Sequence, residues 1–231
     1  MIFRDRAHAA QLLAKELGAY RGKNPLVLAI PRGALPMAKI LAEDLDGDLD
    51  VVLVRKLGAP GNPELAIGSV DETGHVSVAD YAKHYGVSDQ YLAEEAAEQQ
   101  EVLRRRRAAY TPVHPPIDPA GRVVVVVDDG IATGSTMIAA LHGLRAKHPA
   151  KLVVATAVCA PDTLARIERD ADDVVCLDAP ANFYAVGQFF EDFAQVSDAE
   201  VIAILHAAAR KPAPEPPSQD PPQGSFTASF R

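Results

Sequence analysis

The sequence predicts an α/β fold: a doubly wound, mostly parallel sheet flanked by helices. Three observations predict it. Residues 123–127 are five consecutive valines, the pattern of a strand buried on both faces. Other apolar runs of strand length alternate with stretches at helical spacing, as βαβ units require. Small-residue loops follow the apolar runs at 26–30 and 123–127, and sheets of this class hold their ligands at the C-terminal ends of strands.

Residues 7–21 read as an amphipathic helix, with Leu12, Leu13 and Leu17 on one side. An apolar strand spans 26–30. A helix follows at 34–45, where Met37, Ile40, Leu41 and Leu45 share helical spacing. Residues 51–54 read as a second buried strand. Gly58, Pro60, Gly61 and Pro63 mark 57–64 as a loop. Residues 65–70 and 75–78 flank Asp71-Glu72-Thr73-Gly74 as a β-hairpin. A long helix spans 88–110, acidic early (Glu94, Glu95, Glu98, Glu101) and basic late (Arg104 to Arg107), the order that suits the helix macrodipole. The four arginines read as a solvated helix end, with Glu101 pairing to Arg104 or Arg105. Pro112, Pro115, Pro116 and Pro119 make a linker to the valine run. Helix at 137–147, strand at 152–158, helix at 163–169 and strand at 174–177 complete the alternation. The last helix, 197–209, opens on Ser197 with Glu200 three residues on, a capping box. Prolines then crowd the chain after Lys211. Residues 1–210 therefore read as one domain and 211–231 as a disordered Pro-rich tail.

Composition narrows the function. Hydrophobic residues make up 48% of 231 residues, enough for a sizeable core. The net charge of −8 argues against a broad attraction to nucleic acid. Cys159 and Cys176 lie in apolar stretches without C-x-x-C spacing and read as reduced core residues of a cytoplasmic protein. The seven histidines form no Cys/His cluster, so a structural zinc site is not expected. No signal core or membrane-spanning segment is seen, so no membrane partner is expected.

The chemistry concentrates in Val123 to Thr136. Asp128 and Asp129 sit where the valine strand must end, and Gly130-Ile131-Ala132-Thr133-Gly134-Ser135-Thr136 leads into a helix. Small side chains and free N–H groups at a helix N-terminus admit a phosphate. Carboxylates at a strand end accept hydrogen bonds from sugar hydroxyls. The bland alternative is a βα turn whose Asp, Ser and Thr serve only as turn and cap residues. The loop is neither a Walker A sequence, since no Lys follows Gly134, nor G-x-G-x-x-G. Earlier in the chain, Arg32 and Gly33 follow a core strand and suit pyrophosphate, which arginine can grip bidentately. Arg55 and Lys56 read as the charged end of the next strand, on the same sheet edge.

The segment from Val124 to Thr136 resembles the phosphoribosyl-pyrophosphate (PRPP) signature of the type I phosphoribosyltransferases at every position of that signature. The resemblance spans about residues 1–210. It implies the doubly wound fold with a flexible loop and hairpin at 57–78 that closes over the site, the long helix at 88–110 as an insertion, and a small hood at 178–196. Carried over, Asp128 and Asp129 hold the ribose hydroxyls. Ala132, Thr133, Gly134, Ser135 and Thr136 cradle the 5′-phosphate. Arg32, Gly33, Arg55 and Lys56 meet the pyrophosphate.

The segment Pro180 to Asp192 is similar to the hood of hypoxanthine-type enzymes. That likeness implies base stacking by Tyr184 or Phe183, a pocket wall at Val186, and metal binding, through water, by Glu191 or Asp192. A hydrophobic flap or a dimer contact is the plainer account of those aromatics. In hypoxanthine and guanine enzymes the position of Ala132 is an Asp that engages the purine, so a 6-oxopurine acceptor does not follow. The resemblance implies Mg²⁺ as cofactor, PRPP and a small nitrogenous acceptor as partners, a homodimer, and a role in nucleotide metabolism such as salvage. Its alternative is a PRPP-binding regulator with little or no transferase activity.

Overall fold

Five parallel strands form the central sheet: β1 (Leu26–Ala29), β2 (Asp48–Val51), β6 (Val123–Asp128), β7 (Lys151–Val158) and β8 (Asp173–Asp178). Their order is β2-β1-β6-β7-β8. The valine run sits at the centre, with Val125 opposite Val27 on one side and Val153 on the other. Successive side chains along a strand face opposite ways, and both faces here are apolar. Val125 and Val127 join the core formed with α1 (Arg6–Glu16), α2 (Leu35–Asp44) and α6 (Asp198–Ala209). Val124 and Val126 join the core formed with α4 (Ser135–Arg145) and α5 (Pro161–Ile167). The structure is a computed structural model that describes residues 1–110 and 112–209, apart from the side chains of Pro63, Glu64, Ala66, Asp80 and Lys83. The expectation for the tail at 211–231 falls outside the described residues.

From β1 the chain steps outward to β2; after β6 it steps the other way, to β7 and β8. The connections leaving β1 and β6 therefore diverge at the C-terminal ends of these neighbouring strands. This is the topological switch point at which such sheets bind ligands. Local signals agree with the elements around it. Asp5 caps α1 by accepting from the His8 N–H at 2.7 Å. Ser197 and Glu200 form the expected reciprocal cap on α6.

Two expectations need correction. The apolar run at 51–54 is not one strand. β2 ends at Val51, and Val54 opens β3 (Val54–Ala59) of a second, antiparallel sheet with β4 (Asn62–Asp71) and β5 (Val76–Val78). The run is continuous because it crosses from one buried sheet to the other. The Val52 N–H donates to the Ala29 carbonyl, while the Leu53 carbonyl accepts from Glu72 N–H. Residues 57–64 are likewise not a plain loop. Pro60 and Gly61 turn between β3 and β4, with Gly61 at φ +73°, and irregular register around Gly58 absorbs the punctuation. Leu57, Ile67 and Val70 are buried. This sheet packs between α4 and the long helix α3 (Asp89–Tyr110). The hairpin at Asp71–Gly74 is present as expected.

The arginine run also divides. Arg104 and Arg105 pair with Glu101 on the surface, at 2.7 and 3.1 Å. Arg107 turns inward: Nε and Nη2 bind the two Glu72 carboxylate oxygens at 2.6 and 2.9 Å, and Nη1 reaches Asp50. It fastens α3 to β2 and to the hairpin.

Candidate active site

The loop from Gly130 to Gly134 is held open from outside. Ile131 bridges to the end of β7: its N–H donates to the Val158 carbonyl and its carbonyl accepts from Ala160 N–H. Thr163 Oγ1 donates to the Ala132 carbonyl at 2.7 Å. Arg166 Nη1 lies 3.4 Å from the Thr133 carbonyl. Gly134 is required twice over. Its φ is +72°, and a Cβ there would meet Thr163 Cγ2 at 2.6 Å. Gly134 is also the N-cap of α4, and no side chain caps that helix. The first N–H groups of α4 thus have neither an intrahelical partner nor a side-chain cap, the condition for taking an anion. The plainer account of Ser and Thr as caps does not hold here. A cavity of about 110 Å³ adjoins the loop, lined in part by Ser135, His142, Arg166, Ser69 and Ser77.

The acidic pair lies at the switch point. Asp128 ends β6, and its Oδ1 accepts from the Asp129 N–H at 2.9 Å. Burial pushes the Asp128 carboxyl well above the usual carboxylate range, and the charge of Asp129 adds to the effect. Asp129 is 8% exposed. Burial raises its carboxyl too, but Arg6 opposes this, donating from Nε to Asp129 Oδ2 at 2.8 Å. The β1–α2 loop rests on the same oxygen. A Cβ on Gly33 would lie 2.2 Å from Asp129 Oδ2. The Pro31–Arg32 peptide of that loop is cis.

Other expected residues separate into those near this centre and those elsewhere. Val186 stands over Gly130, where a Cβ would approach Val186 Cγ1 to 2.4 Å. Val186 therefore packs on the residue that follows the acidic pair. Tyr184 is 88% exposed. Phe183 instead packs inward, its ring 5.3 Å from Phe189. Arg32 leans on Asp198 at the start of α6, at 3.4 Å.

Arg55 and Lys56 do not end a strand of the central sheet. They lie within β3, and Arg55 Nε donates to Gln99 of α3 at 2.8 Å. Glu191 and Asp192 are exposed, and their N–H groups donate to the Phe3 and Arg4 carbonyls. Among the described residues no three His, Cys, Asp or Glu side chains gather into a metal site. No helix among them is long and apolar enough to cross a membrane.

Arg6, Thr163 and Arg166 escape sequence reasoning. Nothing local marks a partner 123 residues away, as Asp129 is from Arg6. The one available hint is that Asp5, as an N-cap, fixes Arg6 at the first position of a helix.

Comparison with known proteins identifies the family. Residues 2–193 match the family described as the phosphoribosyl transferase domain. The chain belongs to that family. A protein of Thermus thermophilus with a crystal structure is 47% identical, with a TM-score of 0.82, over 90% of this chain and 99% of its own. Proteins of two Mycobacterium tuberculosis strains, each named Putative phosphoribosyl transferase, are 42% identical over 90% of this chain. The chain spans about half the length of these curated relatives, 47%. A Staphylococcus aureus hypoxanthine phosphoribosyltransferase is 18% identical, covers 79% of this chain and 80% of its own, and has a TM-score of 0.42, too slight a likeness to carry argument. The type I phosphoribosyltransferase fold expected from the valine run and its loop is the fold observed.

Proposed function

We propose that the chain transfers the phosphoribosyl group of PRPP to a nitrogen of a small acceptor, a nucleobase, with release of pyrophosphate. The observation that carries this reading is the convergence at one switch point of a paired carboxylate, an uncapped helix N-terminus and a glycine loop seated on the same carboxylate. Each recognises one part of PRPP. The N–H groups at the start of α4, backed by Thr163, take the 5′-phosphate. Asp128 and Asp129 accept from the ribose hydroxyls. Arg32 and the Gly33 backbone face the pyrophosphate, for which Arg32 exchanges its Asp198 partner. Exposed Tyr184 offers a ring to a planar acceptor, with Val186 as the pocket wall.

The acceptor nitrogen forms a bond to C1′ as the C1′–O bond to pyrophosphate breaks; the electron pair leaves with the pyrophosphate, and the acceptor's N–H proton passes to solvent. The residues described supply position and charge rather than proton transfer. They also fit a magnesium ion that arrives with its substrate. Two carboxylates, one of them committed to Arg6, cannot enclose a cation, whereas pyrophosphate and ribose supply the hard oxygens it prefers. Bound there, Mg²⁺ would neutralise the departing pyrophosphate.

The test is pyrophosphate release from PRPP and Mg²⁺ across purines, pyrimidines and simple amines. Release with one acceptor, lost in Asp128→Asn with Asp129→Asn, supports the reading and names the acceptor. PRPP binding without release for any acceptor would replace it with a PRPP-binding regulator. Absence of PRPP binding would refute both.

A further inference from the structure

Asp129 touches more of the molecule than a ribose ligand needs to. One of its oxygens holds Arg6 and abuts the Gly33 loop. Arg6 in turn reaches the hood. Nη1 donates to the Ala194 carbonyl at 2.7 Å, and the guanidinium lies 3.9 Å from the centroid of the Phe193 ring, within cation–π range. Phe193 stacks on Phe190 at 4.9 Å, and Phe190 packs on Phe3 at 5.4 Å.

The hood backbone is fastened to the same N-terminal segment. Phe3 and Phe190 form a parallel bridge, with Phe3 N–H donating to the Phe189 carbonyl and Glu191 N–H to the Phe3 carbonyl, both at 2.8 Å. One side chain, 12% exposed, thus spans the acidic pair and the segment that follows the acceptor wall.

We propose that Arg6 is a positioning residue that couples the PRPP site to the hood through Asp129. Arg6 fixes the Asp129 carboxylate with one oxygen committed and the other available to ribose. A ligand that engages Asp129 then restrains Arg6, and with it Phe193 and Ala194. Such coupling is reciprocal: whatever steadies the hood favours PRPP binding. Arginine suits this geometry: its planar fork donates in two fixed directions while its face lies on a ring, and lysine lacks both the fork and the planar face. The inference rests on the PRPP reading of the site but makes a separate claim, about what the hood senses.

The experiment measures PRPP affinity by calorimetry and amide exchange of hood residues 186–196, in wild type, Arg6→Met, Arg6→Lys and Asp129→Asn. In wild type, saturating PRPP slows hood exchange roughly fivefold or more. Arg6→Met weakens PRPP binding roughly tenfold to a hundredfold, and at saturating PRPP its hood no longer responds. Arg6→Lys falls between. In the Asp129→Asn background, Arg6→Met changes PRPP affinity less than about threefold, since the two act as one unit.

A residue serving only to stabilise the fold would leave the hood response intact once PRPP saturates. If Arg6→Met does not fold, Arg6→Lys and the Asp129→Asn background carry the same comparison. Wild-type protein that binds PRPP without a hood response, a saturated Arg6→Met that keeps one, or a saturated Arg6→Lys that keeps the full wild-type response would overturn the coupling alone. Wild-type protein that does not bind PRPP would overturn the function reading, and the coupling with it.

Discussion

Gly33→Ala tests the geometry at its tightest point. The added Cβ would lie 2.2 Å from Asp129 Oδ2, more than about 1 Å inside van der Waals contact. Gly33 is not among the glycines with positive φ, so alanine brings no backbone strain and the effect is steric. The loop has little room to slide, because Arg6 Nη2 lies 3.2 Å from the same Cβ position. The carboxylate must therefore swing away from Arg6. That pair is 12% and 11% exposed at its side chains, and a hydrogen bond between charged groups out of water is worth about 1.5–3 kcal/mol.

For a chain of this size the loss lowers Tm by roughly 3–12 °C and, transmitted to the ribose acceptor, weakens PRPP binding roughly 10- to 150-fold. Thermal melts and calorimetry read both. A stability cycle isolates the cause. With Asp129→Ala removing the obstacle, Gly33→Ala should cost less than about 0.5 kcal/mol. If Gly33→Ala melts and binds PRPP like wild type, or costs as much without Asp129 as with it, the loop does not rest on that carboxylate.

Thr163→Val keeps shape but loses the bond to the Ala132 carbonyl. It should lower stability by about 1 kcal/mol and raise KM for PRPP more than it lowers kcat, whereas Thr163→Ser restores both. Arg32→Ala should weaken pyrophosphate binding by about tenfold and leave ribose 5-phosphate binding within about twofold; equal losses would remove Arg32 from the pyrophosphate. Asp128→Asn should raise Tm of the ligand-free protein by roughly 1–4 °C at pH 7, because burial disfavours its charged form. A carboxyl raised in the folded state destabilises above its folded pKa, and the penalty fades as pH falls, so the variant's advantage should vanish by about pH 4 in pH-resolved melts.

The valine run disclosed the centre of the molecule because a strand buried on both faces leaves its mark in consecutive residues. The loop beyond it was equally plain, since small residues in consecutive positions lead to Gly134, the left-handed N-cap of α4. The second sheet was half hidden. Its turn carries Pro60 and Gly61, and Gly58 sits at irregular register in β3, so strand and loop signals overlapped within a few residues. The apolar run at 51–54 hid a change of sheet because periodicity reports burial, not which sheet does the burying. Arg107 looked like its neighbours in the run. Only the approach of Glu72 and Asp50 from other elements distinguishes it. Arg6, Thr163 and Arg166 share that reason: their roles depend on partners distant in sequence, with no local pattern.

The two carboxylates of the pair are adjacent in sequence and unequal in circumstance, and the inequality follows from the topology. Asp128 is the last residue of the central strand, in register with Thr156 of β7, and accepts from a backbone N–H. Asp129 is the first residue beyond the strand; Arg6 of α1 and the Gly33 loop meet on one of its oxygens, and residues 193 and 194 reach it only through Arg6. A fold selected only for stability would relieve Asp128 by neutralising it. Keeping an ionisable group there makes sense where a ligand supplies further hydrogen bonds, as ribose hydroxyls would. Asp129 needs a fixed orientation, because its second oxygen sets the rotamer that presents the first. Arg6 is thus committed to the protein's own carboxylate, and on the proposed reading the phosphates would be met by backbone N–H groups, by Arg32 and by the metal they bring.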